Sequence, residues 1–292
     1  MQYRIIGKTG ISVSAVGLGA EFLDGKPYSV VDQTINTAID KGINIIDAFM
    51  PGEEIRKNLG KALAGKRDKV FLQGHLCSTD LNQQYDISRD LATVKKYFEN
   101  LLRFLGTDYI DFGMFFFIDS EGDYKAVFES PILEYALSLK EKGVIRHFGA
   151  SSHVAATAKK VVETGLIDLL MFSINPAFDI SEKGVDPERL SLYRLCEKKG
   201  VGINVMKTLG AGKLLSAALT PFPQAMTVGQ CIHYGLSQPA VTSVLIGCQS
   251  PAQVEEAVSY FTLSDEEKKY EHIIGNACSR NRRRETRVLY FQ

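Results

Sequence analysis

The sequence predicts one α/β domain, a closed (β/α)8 TIM barrel over residues 1–275, followed by a C-terminal tail, 276–292. Three observations predict it. Eight short, near-continuous apolar runs recur along the chain, as for parallel strands covered on both faces. Each run is followed by an interval with room for one amphipathic helix, without a break in composition. The length, 292 residues, suits a fold that typically takes roughly 250. The alternative is a doubly wound open sheet. It would want a Gly-rich GxGxxG turn after the first strand, and AVGLGAEF has none.

Taken in order, the strands read AVGLG (15–19), GINIID (42–47), KVFLQGH (69–75), YIDFGMFFF (109–117), IRHFGASS (145–152), LLMFSIN (169–175), VGINVMK (201–207) and SVLIGC (243–248). Between them the helices carry their own signals. Over 88–106, Leu91, Val94, Phe98, Leu101, Leu102 and Leu105 fall at three- and four-residue steps, with Ser88 as the cap and Gly106 as the stop. Asp186-Pro187 and Ser250-Pro251 each put a capping residue before a proline at the first helical position. Ser264 and Glu267 read as a capping box, and Gly275 ends that last helix.

Composition narrows the function classes. Lys+Arg 34 against Asp+Glu 34 gives a net charge of zero, hence no electrostatic case for a nucleic-acid or membrane partner. No apolar stretch approaches the ~18 residues of a membrane span, and MQYRIIGKTG lacks the apolar run of a secretory signal. Cys77, Cys196, Cys231, Cys248 and Cys278 form no CxxC unit. A disulfide framework, a zinc ribbon and a cysteine-held iron–sulfur cluster are therefore not expected, nor is any metal site. The expectation is a reduced, cytoplasmic protein. In the tail, LYFQ reads either as the remnant of a cleaved tag or as a frayed natural end, and Arg280–Arg284 as a solvated charge run. Charge argues for no particular oligomeric state.

In such a barrel, chemistry sits at the C-terminal ends of the strands. The polar residues there are Asp47, His75, Ser151, Ser152, His153, Asn175 and Lys207, with Glu53 and Glu54 in the loop after the second strand. Asp47, a charge ending an apolar strand, reads as functional. His75 is either a hydrogen-bonded wall residue or a proton carrier. His153 reads as a helix-start residue, and Lys207 as a buried amine at the end of its strand. Phe49, Met50, Phe116 and Phe178 suggest an apolar or aromatic substrate wall, or simply barrel packing.

Three segments carry a resemblance. YRIIGKTGISVSAVGLG, GINIIDAFMPGEEIRKNLGKAL and KEKGVIRHFGASSH are similar, in order and spacing, to segments of the aldo-keto reductase family. GHLC, MFSINPAFD and INVMKTLGAGKLL further resemble an anaerobe-type subgroup. Its members often carry a cysteine-rich, iron–sulfur-binding extension, and this chain stops before it. The resemblance implies NAD(P)H as cofactor and a tetrad of Asp, Tyr, Lys and His. In that tetrad the Tyr protonates a carbonyl, Lys and Asp lower its pKa, and His orients substrate. The Asp falls on Asp47. The Tyr is missing from AFMPGEE, the Lys position is His75, and the His position is Phe116.

For the cofactor, the resemblance implies Ser151, Ser152 and Asn175 beside the nicotinamide and Lys207 nearby. Leu209, Gly210 and Gly212 would lie at the pyrophosphate, and Gly247, Gln249 and Gln253 at the adenosine end. Relatives place cations at that last end. GCQSPAQVEEAV has none, so a strong preference for NADPH over NADH is not expected. The function expected is reduction of a small carbonyl, or the reverse oxidation of an alcohol, with Asp47 and His75 as a non-standard acid site. The alternatives are a barrel that binds a dinucleotide or small ligand without turnover, and a metal-assisted hydrolase or lyase using Asp47, His75 and His153. With no cysteine pair at cluster spacing, the purified protein should be colourless. A visible absorption shoulder with stoichiometric iron and sulfide would contradict this.

Overall fold

The computed structural model describes residues 1–82, 84–181 and 184–274. Gly275, Cys278 and the 276–292 tail lie outside the described residues. Eight parallel strands close into a barrel in chain order: β1 (Val16–Gly19), β2 (Ile45–Ala48), β3 (Phe71–Leu76), β4 (Ile110–Phe115), β5 (Ile145–Ser152), β6 (Leu169–Ser173), β7 (Gly202–Met206) and β8 (Val241–Gly247). β8 closes the ring by pairing Val244–Gly247 with Val16–Gly19 of β1. Every apolar run read from the sequence is one of these strands. β5 has the predicted limits, and the others shift at their ends.

Helices cover the outside, and their ends show local competition. The third, Leu91–Leu105, is capped by Asp90, whose carboxylate accepts from Thr93 N–H. Ser88, the expected cap, instead accepts from Asp90 N–H. Gly106 stops the helix with φ 64°. Asp186 caps Pro187–Lys199 as expected, whereas Ser250 precedes Pro251–Ser259 without a cap bond. The Ser264/Glu267 capping box is present but encloses only Asp265–Lys268. Glu53 and Glu54 are not loop residues; they form the first turn of Glu53–Ala62, where the helix dipole favours acids.

The apolar residues divide into two cores. Leu18, Ile46, Leu72, Phe115 and Phe148 belong to the layer between barrel and helices. Ile45, Phe112, Met114, Leu169, Met171 and Leu245 fill the barrel itself, with Ile6 and Val13 of the N-terminal hairpin. The inner packing is tight. A Cβ on Gly149 would lie 2.3 Å from Met114 Sδ, so glycine is the residue that fits. Gln73 and Asn204 are also fully buried, although polar. Cys77, Cys196, Cys231 and Cys248 are buried as well. Burial pushes the thiols of Cys196, Cys231 and Cys248 up to about 12.

A buried ion pair ties down the loop after β6. Asp179 Oδ1 accepts from Arg189 Nε at 2.6 Å and from Tyr193 at 3.0 Å, and Oδ2 accepts from Tyr234 at 2.9 Å. Arg189 also donates to the Ser173 carbonyl at the end of β6. Replacing Asp179 with asparagine leaves the guanidinium buried without a counter-charge. Asp179→Asn should cost about 3–5 kcal/mol in denaturant unfolding. Tyr234→Phe should cost about 1 kcal/mol, the scale of one hydrogen bond.

Candidate active site

Asp47 and His75 end adjacent strands on their inward faces. Asp47 Oδ1 accepts from His75 Nε2 at 2.7 Å and from Gln73 Nε2 at 2.9 Å. The Asp47 carbonyl accepts from Ala20 N–H at 3.1 Å, which holds the β1 end beside it. His75 is fully buried, and its second ring nitrogen, Nδ1, has no hydrogen-bond partner. A neutral imidazole that gives Nε2–H to a carboxylate keeps Nδ1 as an acceptor.

Aromatic rings cover this pair. Phe49 and Phe116 stack with centroids 5.7 Å apart, and each meets the His75 ring edge-on, at 5.9 and 5.4 Å. Tyr85 packs against both, at 5.4 and 6.4 Å. It comes from the loop after β3, beside the small hairpin of Ser78–Thr79 and Asp86–Ile87. Burial and the charge of Glu21 raise the Tyr85 pKa, so the phenol stays protonated. Two expected wall residues are elsewhere. Met50 is a core residue whose carbonyl accepts from buried Arg56. Phe178, in the short helix Pro176–Asp179, lines a separate cavity of about 590 Å³ with Ile180, Val185 and Pro187.

Charged groups ring the mouth. Glu21 stands in the single turn after β1, within electrostatic reach of Asp47, Lys207 and Tyr85. Lys207 follows β7 with φ 59° and is exposed as a whole residue, yet burial lowers the pKa of its ammonium, against Glu21 and Asp119, which raise it. His153 is not brought to Asp47 and His75. Its Nδ1 bonds Asp119 at 2.9 Å, and its backbone N–H donates to the same carboxylate. Burial pushes Asp119 up, but these bonds to His153 hold it below the usual range. Among the described residues, no three His, Cys, Asp or Glu side chains are grouped to hold a metal ion, so the metal-assisted alternative gains no support.

The expected dinucleotide residues meet different fates. Ser151 Oγ accepts from Phe117 N–H at 2.9 Å, and its own hydroxyl proton remains to be given. The Ser152 hydroxyl bonds Asp119 and the Val154 backbone. Asn175 caps a helix: its oxygen accepts from Ala177 and Phe178 N–H, and one of its two amide N–H groups donates to the Lys207 carbonyl, leaving the other to be given.

The Leu209–Gly212 loop turns through positive φ at Gly210, Ala211 and Gly212. The amides of Gly210 and Gly212 go to the Lys207 and Leu209 carbonyls rather than to an anion. Thr208 Oγ1 beside that loop is buried and without a partner, an orphan that a bound phosphate or ribose would satisfy. Gly247 is held by packing, since a Cβ there would lie 2.4 Å from the Phe22 ring. Gln253 accepts from Gln249 N–H. Glu255 pairs with Lys41 at 3.3 Å, which spends a nearby cation.

Sequence reasoning passed over Glu21, Tyr85, Gln73 and Asn204. The last two had a readable signal, a polar residue inside an apolar strand. Glu21 follows directly on a strand end, where the mouth begins. Tyr85 had none, because it lies in a loop away from any barrel-strand end. Glu21 also makes a stability prediction. Burial, then Asp47, raise its pKa, against Lys207, which lowers it. The folded state thus holds that proton more tightly than the unfolded state, and stability falls as pH rises through the usual carboxylate range. Glu21→Gln should leave the thermal midpoint unchanged near pH 3.5 and raise it at pH 7.

The comparisons with known proteins agree on one family. The model of the aldo/keto reductase family matches residues 15–227. Aldo-keto reductase YhdN of Bacillus subtilis is 37% identical over 123 residues, which is 38% of this chain and 36% of that protein. This match therefore spans about a third of its relative's length. L-galactose dehydrogenase of Arabidopsis thaliana is 26% identical over 90% of this chain and 88% of its own. The solved structure of aldo-keto reductase AKR11C1 from Bacillus halodurans, in its holo form, shares the fold. Its TM-score is 0.74 at 23% identity, covering 95% of this chain and 96% of that one. A family match over most of the chain, on a closed eight-stranded barrel, means that the chain belongs to the aldo/keto reductase family of NAD(P)-dependent oxidoreductases.

Proposed function

We propose that this protein reduces a small carbonyl with NAD(P)H, or oxidises the corresponding alcohol, with His75 as the proton carrier and Asp47 as its support. The observation that carries the reading is the 2.7 Å Asp47–His75 bond at the catalytic end of the barrel, with Nδ1 left unpartnered. No tyrosine follows Asp47, and Phe116 stands where an orienting histidine is expected. In alcohol oxidation, His75 Nδ1 takes the hydroxyl proton while Nε2–H stays on Asp47, whose charge supports the imidazolium. In reduction the same atom returns the proton. Phe49 and Phe116 exclude water from that atom and must part to admit substrate. Ser151 would donate to the nicotinamide carboxamide, and Lys207 and Thr208 would face phosphate. The cofactor supplies the hydride acceptor or donor.

Three measurements test this. Fluorescence titration should show NADH and NADPH binding with affinities within a hundredfold, because Gln249 and Gln253 offer the adenosine end no charge. A charge-assisted bond to phosphate contributes about 1.5–3 kcal/mol, tenfold or more. On a substrate found in an aldehyde and alcohol panel, His75→Gln should lower kcat by about 10²–10⁴, with dinucleotide affinity nearly unchanged. Asp47→Asn should lower it by less. Full activity of His75→Gln would end this reading.

A second reading has an observation of its own: His75 is buried beneath Phe49 and Phe116. Dinucleotide binding without turnover across the panel would favour it.

A further inference from the structure

We infer that Gln73 and Asn204 are positioning residues: with Thr242 they form a one-way chain of hydrogen bonds along the barrel interior that fixes His75 as the Nε2–H tautomer. The inference rests on the proposed role of His75.

The chain is continuous. Thr242 Oγ1 shares its one proton between Asn204 Oδ1 at 3.0 Å and the Ile203 carbonyl at 3.1 Å, Asn204 Nδ2 donates to Gln73 Oε1, and Gln73 Nε2 donates to Asp47 Oδ1 at 2.9 Å. His75 Nε2 meets the same oxygen from the other side. Gln73 and Asn204 are fully buried, and Thr242 nearly so. Their order follows from chemistry alone. A carboxylate only accepts, so Gln73 must turn its NH₂ to Asp47. Its oxygen then faces Asn204, which must give its own NH₂, and the Asn204 oxygen is left for a hydroxyl. Every donor points the same way, so the dipoles reinforce one another at Asp47. The last link depends on backbone irregularity. Ile203 pairs with Val241 and Asn204 with Ser243, so Thr242 is the extra residue of a bulge.

The neighbouring interior residues are apolar: Ile45, Met114, Met171 and Leu245. Another aliphatic side chain would fill the space without needing four matched bonds. The polar chain does what an aliphatic side chain cannot. Asp47 has one other side-chain partner, His75, so without Gln73 that single bond is left to orient both the carboxylate and the imidazole.

The experiment reads the tautomer directly. In protein labelled with ¹⁵N-histidine, the His75 signals are those missing from His75→Gln, and two-bond correlations separate Nε2–H from Nδ1–H. The parent should show Nε2–H alone. The double variant Gln73→Leu/Asn204→Leu removes both amides, leaving neither unpaired, and Thr242 keeps the Ile203 carbonyl at 3.1 Å. It should show mixed tautomers. Its kcat should fall on the order of 10²-fold, as for a misplaced catalytic group, with unchanged dinucleotide affinity. If that variant does not fold, Thr242→Val should give the same mixing in smaller measure. An Nδ1–H parent, a single unchanged tautomer in the variant that folds, or mixing with full kcat would each overturn the inference. Should no substrate turn over, the proposed activity fails while the tautomer still decides the role of the chain.

Discussion

The Asp47 carboxylate can only accept, and the site is arranged around that limit. One of its oxygens takes two side-chain donors, from the histidine beside it and the glutamine beneath it. Neither donor is free to face another way. The orientation of the imidazole, the direction of both buried amides and the open nitrogen of His75 all follow from one charged group ending an apolar strand. The aromatic cover completes the arrangement by keeping water, a competing donor, away from it.

Seen this way, the departures from the family pattern are connected. A lysine beside Asp47 would offer charge but no acceptor. A histidine offers one nitrogen to the carboxylate and holds the other in reserve. With the proposed proton carrier, His75, on β3, the loop after β2 carries no phenol. That loop instead passes over the site with Phe49 and is held from behind by Arg56. Phe116 belongs to the same change, since it packs against the imidazole.

The barrel was legible because each of its strands is an apolar run too short to be anything else, separated by helix-sized intervals. Asp47 and His75 were legible for the same reason, as polar residues where such runs stop. The sequence gives no sign that Asn175 caps a helix, because the residue type suits either task. Lys207 lies just past a strand whose end shifted, and the chain passes through positive φ there. Phe178 was placed with the other aromatic residues by kind, whereas the short helix after β6 carries it to another cavity. Ser88 lost its capping role to Asp90, two residues later, which sequence alone ranks equally well.

Ring closure joins the two ends of the chain. Arg4 donates to the Val241 carbonyl across 237 residues of sequence, and β1 finds its second neighbour only when β8 arrives. On a ribosome the first strands must therefore wait, with one edge unpaired, until nearly the whole barrel has emerged. Contacts so distant in sequence make for slow folding. Asp47 and His75 are made early and are near neighbours, but Asn204 and Thr242 come from the last third of the chain. A truncated product holds the pair proposed for the chemistry but lacks the residues inferred to align it, so on that reading completion of synthesis is itself the step that switches the site on.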